Sequence, residues 1–392
     1  MNDTDQKEGY RMKFVFAPDS FKGSLSAKEI IEVLTETAKQ LVPGCQCVGI
    51  SMADGGEGTM DIIKDICNGQ TIPVQVSDPL FHTIPSHFAV LNGDTALIEM
   101  AAASGLPLVP PDKRNPELTT TFGTGQLVRS ALDLGYRKFI IGVGGSATND
   151  GGTGALSALG VRFLDEEGRE LSPIGKNLIR IRSIDLSHLH SNARCSSFQV
   201  MCDIDNPLLG ERGASFVFAP QKGASPEQCA LLEQGMRNYN EVLSRTLEKD
   251  VSNIPGAGAA GGLAAGLMAL LGASLSSGIR TVLSLSHFEE IVKDADYCIT
   301  GEGRADSQSA HGKVLWGVGQ ACSKYSIPVL AVTGCLGDGY EELFGCGIQR
   351  IYPSIEDGMT VEYAMAHAKE QLRKAVEKMF RDILRSKSGD PE

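Results

Sequence analysis

The stretch Lys13-Phe14-Val15-Phe16-Ala17-Pro18-Asp19-Ser20-Phe21-Lys22-Gly23-Ser24-Leu25-Ser26-Ala27 decides the fold. Its first five residues are a short aromatic and aliphatic run, which predicts a buried strand. Pro18 to Gly23 is polar and turn-forming. From Ala27 to Leu41 the apolar residues Ile30, Ile31, Leu34, Ala38 and Leu41 share one helical face. Ser26 and Glu29 stand at capping-box spacing, which starts that helix at Ala27. The unit is strand, polar loop, amphipathic helix.

The same unit recurs along the chain. Cys47–Met52 precedes ADGGEGT, Lys138–Val143 precedes GGSATNDGGTG, and Phe198–Cys202 precedes DIDNP. Tyr297–Thr300 precedes GEGRADS, and Pro328–Val332 precedes TGCLGDG. Strands alternating with helices predict an α/β fold with largely parallel sheet. Between Pro79 and Gly93 the pattern changes. Two prolines, two histidines and Asn92-Gly93 between apolar runs predict antiparallel pairing. A domain inserted into another is therefore expected. Residues 12–76 with 285–386 form a Rossmann-like, parallel-sheet domain, and 77–284 form a mixed α/β domain inserted into it. Residues 1–11 and 387–392 are expected to be flexible termini. Val361–Arg385 reads as a single amphipathic helix, with Leu372, Ala375, Val376, Met379 and Ile383 on its packing stripe.

Composition narrows the function. The chain has 392 residues, 36 basic and 48 acidic, for a net charge of −12. That balance argues against a nucleic-acid surface. The first residues lack an apolar signal region, and no apolar run approaches the roughly 20 residues of a membrane span. Ten cysteines show no CxxC pair, so free thiols in a reducing compartment are expected. A soluble, cytoplasmic protein follows, with no nucleic-acid or membrane partner. The seven histidines form no ligand set and no nucleophile triad. Glycine is in excess, 45 of 392, clustered in loops with no fixed period.

Ligands of parallel sheets bind at the carboxyl ends of the strands, where these loops lie. Asp19, Ser20, Lys22 and Ser24 precede a helix N-terminus, an anion-favouring position. Asp54, Gly55 and Gly56, and then Gly144, Gly145, Ser146, Asn149 and Asp150, form the densest glycine loops. Their backbone N–H groups can cradle phosphate oxygens. GxxxxGK[ST] is absent, which excludes a P-loop. The GxGxxG at 256–261 follows Asn253-Ile254-Pro255, not a strand, so it is no dinucleotide fingerprint. Gly258 and Gly261 read either as a flap over phosphates or as close helix packing. Asp203 and Asp205 end a strand two residues apart and so project the same way. Asp203, directly after Val200-Met201-Cys202, is expected to be the more desolvated and to act as base. Asp205, in the following turn, is expected to hold magnesium. Glu302, Arg304 and Asp306 with Lys313 complete the set. Arg304 suits a bidentate carboxylate or phosphate contact, and Asp306 is a second metal candidate.

Taken together, APDSFKGSLSA, ADGGEGT, GVGGSATNDGGTG, CDIDNPLLGERGA, FAPQKGA, GAGAAGG and TGEGRADSQSAHGK resemble the bacterial glycerate kinase family, type 1, in that family's order. The resemblance covers about 13–380. It implies two α/β domains with the active site in the cleft, and ATP-dependent, Mg²⁺-dependent phosphorylation of D-glycerate to 2-phosphoglycerate. The implied setting is glyoxylate or sugar-acid breakdown. Lys22 and the glycine loops then hold phosphates, Arg304 the glycerate carboxylate, and Asp203 the hydroxyl proton. Ser309 stands where the family has threonine, and its hydroxyl can donate the same hydrogen bond. A 3-phosphoglycerate product, another short hydroxy acid, a non-catalytic sensor of the same ligands and a homo-oligomer all stay open at this stage.

Overall fold

The computed structural model describes residues 11–55, 58–355 and 358–388. In chain order the strands are β1 (Lys13–Pro18), β2 (Gln46–Gly49), β3 (Gln70–Ser77), β4 (Thr83–Leu91), β5 (Thr95–Glu99), β6 (Lys138–Gly142) and β7 (Arg162–Leu164). They continue with β8 (Ser183–Asp185), β9 (Ser197–Met201), β10 (Ser274–Ser276), β11 (Tyr297–Ala305), β12 (Val329–Leu336) and β13 (Ile348–Pro353). Two compact units result. One joins the described residues up to Asp54 with those from Ile279 onward, and the other runs from Gly55 to Gly278. Those dividing positions differ from the expected 76/77 and 284/285. Residues 55–76 go with the second unit because β3 pairs with β4 along its whole length, Gln70↔Val90 to Ser77↔Thr83.

In the first unit the apolar run Phe14-Val15-Phe16 makes β1 a central strand, fully buried. It pairs in parallel with β2 on one side and with β11 on the other, from Phe14↔Tyr297 to Pro18↔Gly301. The sheet order is β13-β12-β11-β1-β2, all parallel. Counted within this unit, that order is 5-4-3-1-2, which reverses between β1 and β11. The helix Ala27–Leu41 has the expected capping box: Ser26 Oγ accepts from Glu29 N, and Ser26 N donates to the Glu29 carboxylate at 2.8 Å. Its buried Ile30, Val33, Leu34 and Ala38 pack in one core with Leu372, Val376, Met379 and Phe380 of the last helix. Phe14 meets Phe380 edge-on, with ring centroids 5.2 Å apart.

Two expectations for this unit need correction. The segments GEGRA and TGCL, read as loops, are strand. β11 runs to Ala305 and β12 to Leu336, with Glu302 opposite Thr333 and Arg304 opposite Cys335. Each supplies the other's backbone partners, so polar side chains do not end the strands. The final helix is also two helices, Val361–Ala366 and Ala368–Ser388. His367 leaves helical dihedrals (φ −115°, ψ 23°), with its N–H and its ring nitrogen both on the Tyr363 carbonyl. The apolar stripe lies wholly in the second helix. Of the expected flexible termini, Lys387 and Ser388 continue that helix, while residues 1–10 and 389–392 lie outside the described residues.

The second unit holds a mixed sheet, ordered β10-β9-β6-β5-β4-β3. β10, β9, β6 and β5 are parallel, and β4 and β3 are antiparallel. The expected hairpin turns at Asn92-Gly93, whose φ angles of 50° and 77° are both positive, as a type I′ turn requires. β7 and β8 form a separate antiparallel pair. All ten cysteines are free. Among the described residues no helix is long and apolar enough to cross a membrane.

Two substitutions rank the first unit's determinants. Ser26→Ala removes one cap and should cost about 1 kcal/mol. Phe380→Ala empties a buried ring site and should cost about 3–5 kcal/mol. Urea unfolding of the two variants checks that order.

Candidate active site

The reversal of strand order between β1 and β11 leaves a crevice beyond their carboxyl ends, the usual ligand position of an open parallel sheet. A pocket of about 350 Å³ lies there. Asp19, Ser20, Lys22, Ser24 and Asp54 reach it from one stretch of chain, and Glu302, Arg304, Asp306 and Lys313 from the other. Ile355, Ala364, Met365 and Ala368 add an apolar lining.

The strand ends are tied together, since Asp19 N–H donates to Gly301 O at 2.8 Å. The Asp19 carboxylate accepts from Ser20 N at 2.6 Å. Burial raises its pKa to about 6; Ser20 N–H and Lys22 oppose the shift, and Asp54 adds to it. Glu302 is only 7% exposed, and its Oε1 has no hydrogen-bond partner. Burial pushes Glu302 up to about 7, helped by Asp19 and Asp306 and opposed by the Ser309 hydroxyl and Lys313. The two flanking cations differ in kind from these carboxylates. Lys22 and Arg304 have side chains 72% and 66% exposed. Among the described residues Lys22 Nζ pairs loosely with Asp54 at 3.9 Å and Arg304 Nε with Asp306 at 3.5 Å. Exposed pairs are worth about 0–1 kcal/mol, so an incoming anion displaces them cheaply. Lys313 stands at the start of the helix Val314–Ser323. Ser309 is fully buried, its hydroxyl accepting from Asp306 N at 3.2 Å. Asp306 caps its own turn by accepting from Gln308 N at 3.0 Å. The arrangement can bind an anion at its cations and take a proton at a desolvated carboxylate.

The other expected residues belong to the second unit. Asp203 and Asp205 follow β9, and both are exposed. Strand β9 ends at Met201, although Cys202 N still donates to Ser276 O at 2.9 Å, and the Asp203 side chain is not buried as expected. Asp203 Oδ1 accepts from Gly278 N at 2.9 Å. Gly55 sits against the same carboxylate: at its φ of 97°, a Cβ would fall 1.7 Å from Asp203 Oδ2. Asp205 is held by Arg212 at 2.9 Å in an exposed pair. Gly56 lies outside the described residues.

The long glycine loop divides in two. Gly144 and Gly145 are exposed and Ser146 is half-buried, whereas Asn149 and Asp150 are fully buried. The Asp150 carboxylate accepts from Thr121 N and Oγ1 at 2.7 and 2.8 Å, and from Gly152 N and Gly154 N at 3.1 Å each. Asn149 Nδ2 donates to Ser215 Oγ at 3.2 Å. Of the two readings for Gly258 and Gly261, the structure shows packing. Both are buried, and a Cβ at Gly261 would lie 2.1 Å from Thr148 O. Sequence reasoning did not single out Lys222, which lies in the FAPQKGA segment. It is 1% exposed, and its Nζ donates to Thr148 O at 2.7 Å. Burial lowers its pKa to about 7, with Asp150 opposing. Its sequence neighbours carry no signal of this burial, since Phe216 and Val217 just ahead of it are themselves exposed.

Residues 14–384 match the Glycerate kinase family. The chain is 46% identical over 345 residues to the glycerate kinase of Haemophilus influenzae, covering 88% of this chain and 91% of that one. It is 42% identical to the glycerate 2-kinase of Escherichia coli, covering 93% and 96%. A crystal structure assigned to glycerate kinase 2 of Salmonella typhimurium LT2 aligns with a TM-score of 0.86 at 40% identity, covering 97% of this chain and all of that one. A match that spans both units and the whole sheet order leaves one assignment: the chain belongs to the glycerate kinase family of phosphotransferases.

Proposed function

We propose that this kinase transfers the γ-phosphoryl group of ATP to D-glycerate, with Mg²⁺, giving 2-phosphoglycerate and ADP. The observation that carries the reading is the pocket where Lys22, Arg304 and Lys313 surround carboxylates too buried to ionise easily. Phosphoryl transfer asks a protein mainly for positioning and charge neutralisation. Lys22, in the turn before the helix Ala27–Leu41, and Lys313, at the start of the helix Val314–Ser323, suit phosphate oxygens. Arg304 suits the glycerate carboxylate, which its planar fork can meet with two hydrogen bonds. The net charge of −12 does not prevent this, since screening at about 0.15 M salt acts within about 8 Å. The name of the E. coli relative supports the 2-hydroxyl as acceptor. Free thiols suit a reducing cytoplasm, and the setting fits breakdown of small organic or sugar acids.

Magnesium keeps several waters and is usually held by one or two carboxylates together with substrate phosphates. Among the described residues no group of three or more His, Cys, Asp or Glu could hold a metal alone. Asp306 is engaged as a turn cap. Asp205 is exposed, and its surface pair with Arg212 is cheap to release. Asp205 is therefore the carboxylate proposed for the metal, which neutralises phosphate charge when bound.

Purified protein with Mg²⁺, ATP and D-glycerate should form ADP, and EDTA should abolish the reaction. Coupling through enolase and pyruvate kinase should need no added phosphoglycerate mutase. A requirement for mutase would identify the 3-phosphate, and no glycerate-dependent ADP between pH 6 and 9 would overturn the proposal.

Removing a charge-assisted hydrogen bond costs about 1.5–3 kcal/mol, or roughly ten- to a hundredfold in affinity. Lys22→Ala and Arg304→Ala should each lose kcat/KM by at least that factor. Both should melt near wild type, since the side chains are exposed. Asp205→Asn should raise the Mg²⁺ concentration for half-maximal rate, with excess metal restoring turnover. An unchanged Mg²⁺ dependence excludes Asp205 from the metal.

A further inference from the structure

We infer that Glu302 is the general base of the reaction, accepting the proton of the glycerate hydroxyl as that oxygen attacks phosphorus. The inference rests on the kinase reading above and assigns the base within its pocket. Asp203, expected in this role, is exposed, whereas Glu302 is buried.

Three features single out Glu302 among the pocket carboxylates. It is 7% exposed, yet its Oε1 has no hydrogen-bond partner, so it lacks the partner that a buried oxygen normally has. The Ser309 hydroxyl serves the carboxylate but leaves Oε1 unpartnered; Asp19 accepts from Ser20 N, Asp54 pairs loosely with Lys22, and Asp306 accepts from Gln308 N. Glu302 also sits on rigid strand, in register with Thr333 of β12, rather than on a loop. And it shares a sheet face with Arg304, two residues on. Their Cα atoms are then about 6.5 Å apart along the strand. A three-carbon hydroxy acid can span that interval, its carboxylate on Arg304 and a hydroxyl against Glu302.

The groups facing Glu302 in the pocket are Asp19 and Asp306, which disfavour its charge, and Lys313 and the Ser309 hydroxyl, which favour it. Lys22, Asp54 and Arg304 complete the ionisable lining. With burial added, the carboxyl titrates at about 7 and both forms are present near neutrality. A catalytic base is most effective when its pKa lies near the working pH. In the step itself the hydroxyl oxygen forms a bond to the γ-phosphorus, and the bond from that phosphorus to the β,γ-bridging oxygen breaks. The electron pair stays on ADP, and the hydroxyl proton passes to Glu302 and then to water. An alcohol is far too weak an acid to ionise first, so proton transfer accompanies bond formation.

The test is Glu302→Gln, which keeps the shape and cannot take the proton. Its kcat should fall by about 10²–10⁴, with KM for ATP near wild type. Wild-type kcat/KM should fall as pH drops below about 7, where the base becomes protonated, and the residual activity of Glu302→Gln should lack this acid limb. Glu302→Asp should keep the limb but move it to lower pH, which also serves if the Gln variant melts early. A Gln variant with wild-type kcat, one raised only in KM for glycerate, one rescued by excess Mg²⁺, or an unmoved limb in Glu302→Asp overturns the assignment. Wild-type protein inert toward glycerate would instead be a failure of the kinase reading.

Discussion

Asp19 follows β1 and Glu302 lies within the neighbouring β11, and both carboxylates are withdrawn from water. Negative charge is costly in such a place unless donors or cations offset it. The pocket supplies them within the same unit: Ser20 N–H and Lys22 for Asp19, the Ser309 hydroxyl and Lys313 for Glu302. The offset is incomplete, which leaves both carboxyls easy to protonate. Sheet order creates this condition. A strand order that reverses between β1 and β11 opens a crevice there, and covering helices cannot close it.

The second unit handles a buried carboxylate differently. Asp150 is fully buried but receives four hydrogen bonds, two from Thr121 and two from the backbone just after it. Lys222 anchors the same stretch through Thr148 O. These contacts fix the inner half of the glycine loop, so Gly144 and Gly145 are presented on a braced backbone rather than a loose one. Burial still raises the Asp150 pKa, but its four hydrogen bonds tie it to the architecture, whereas Glu302 Oε1 has no partner.

Local chemistry was legible in the sequence, and burial was not. The β1 run, the Ser26–Glu29 cap and the Asn92-Gly93 turn depend on neighbours along the chain, and each appears where its residues predict it. The strand character of Gly301 to Ala305 depends on β12, some thirty residues later, and polar side chains masked it. Asp203 looked buried because three apolar residues precede it, yet the strand stops before reaching it. Asp150 reads from the sequence as part of a phosphate-cradling glycine loop, and nothing adjacent to Lys222 marks it as interior. Both are interior through contacts with segments dozens of residues away, and spacing carries no record of those.

The pairing of β1 with β11 also sets an order of events during synthesis. Phe14 and Tyr297 are partners across 283 residues of chain. At ~5–20 residues per second, β1 waits roughly 14–57 s for the strand that covers its second edge. The contiguous segment from Gly55 to Gly278 has no such delay and can close its own core first. Meanwhile β1, with its buried Phe14-Val15-Phe16 run, has only β2 beside it, an open edge of the kind that invites wrong partners. Growth conditions that slow translation should therefore burden this protein's yield more than its finished stability.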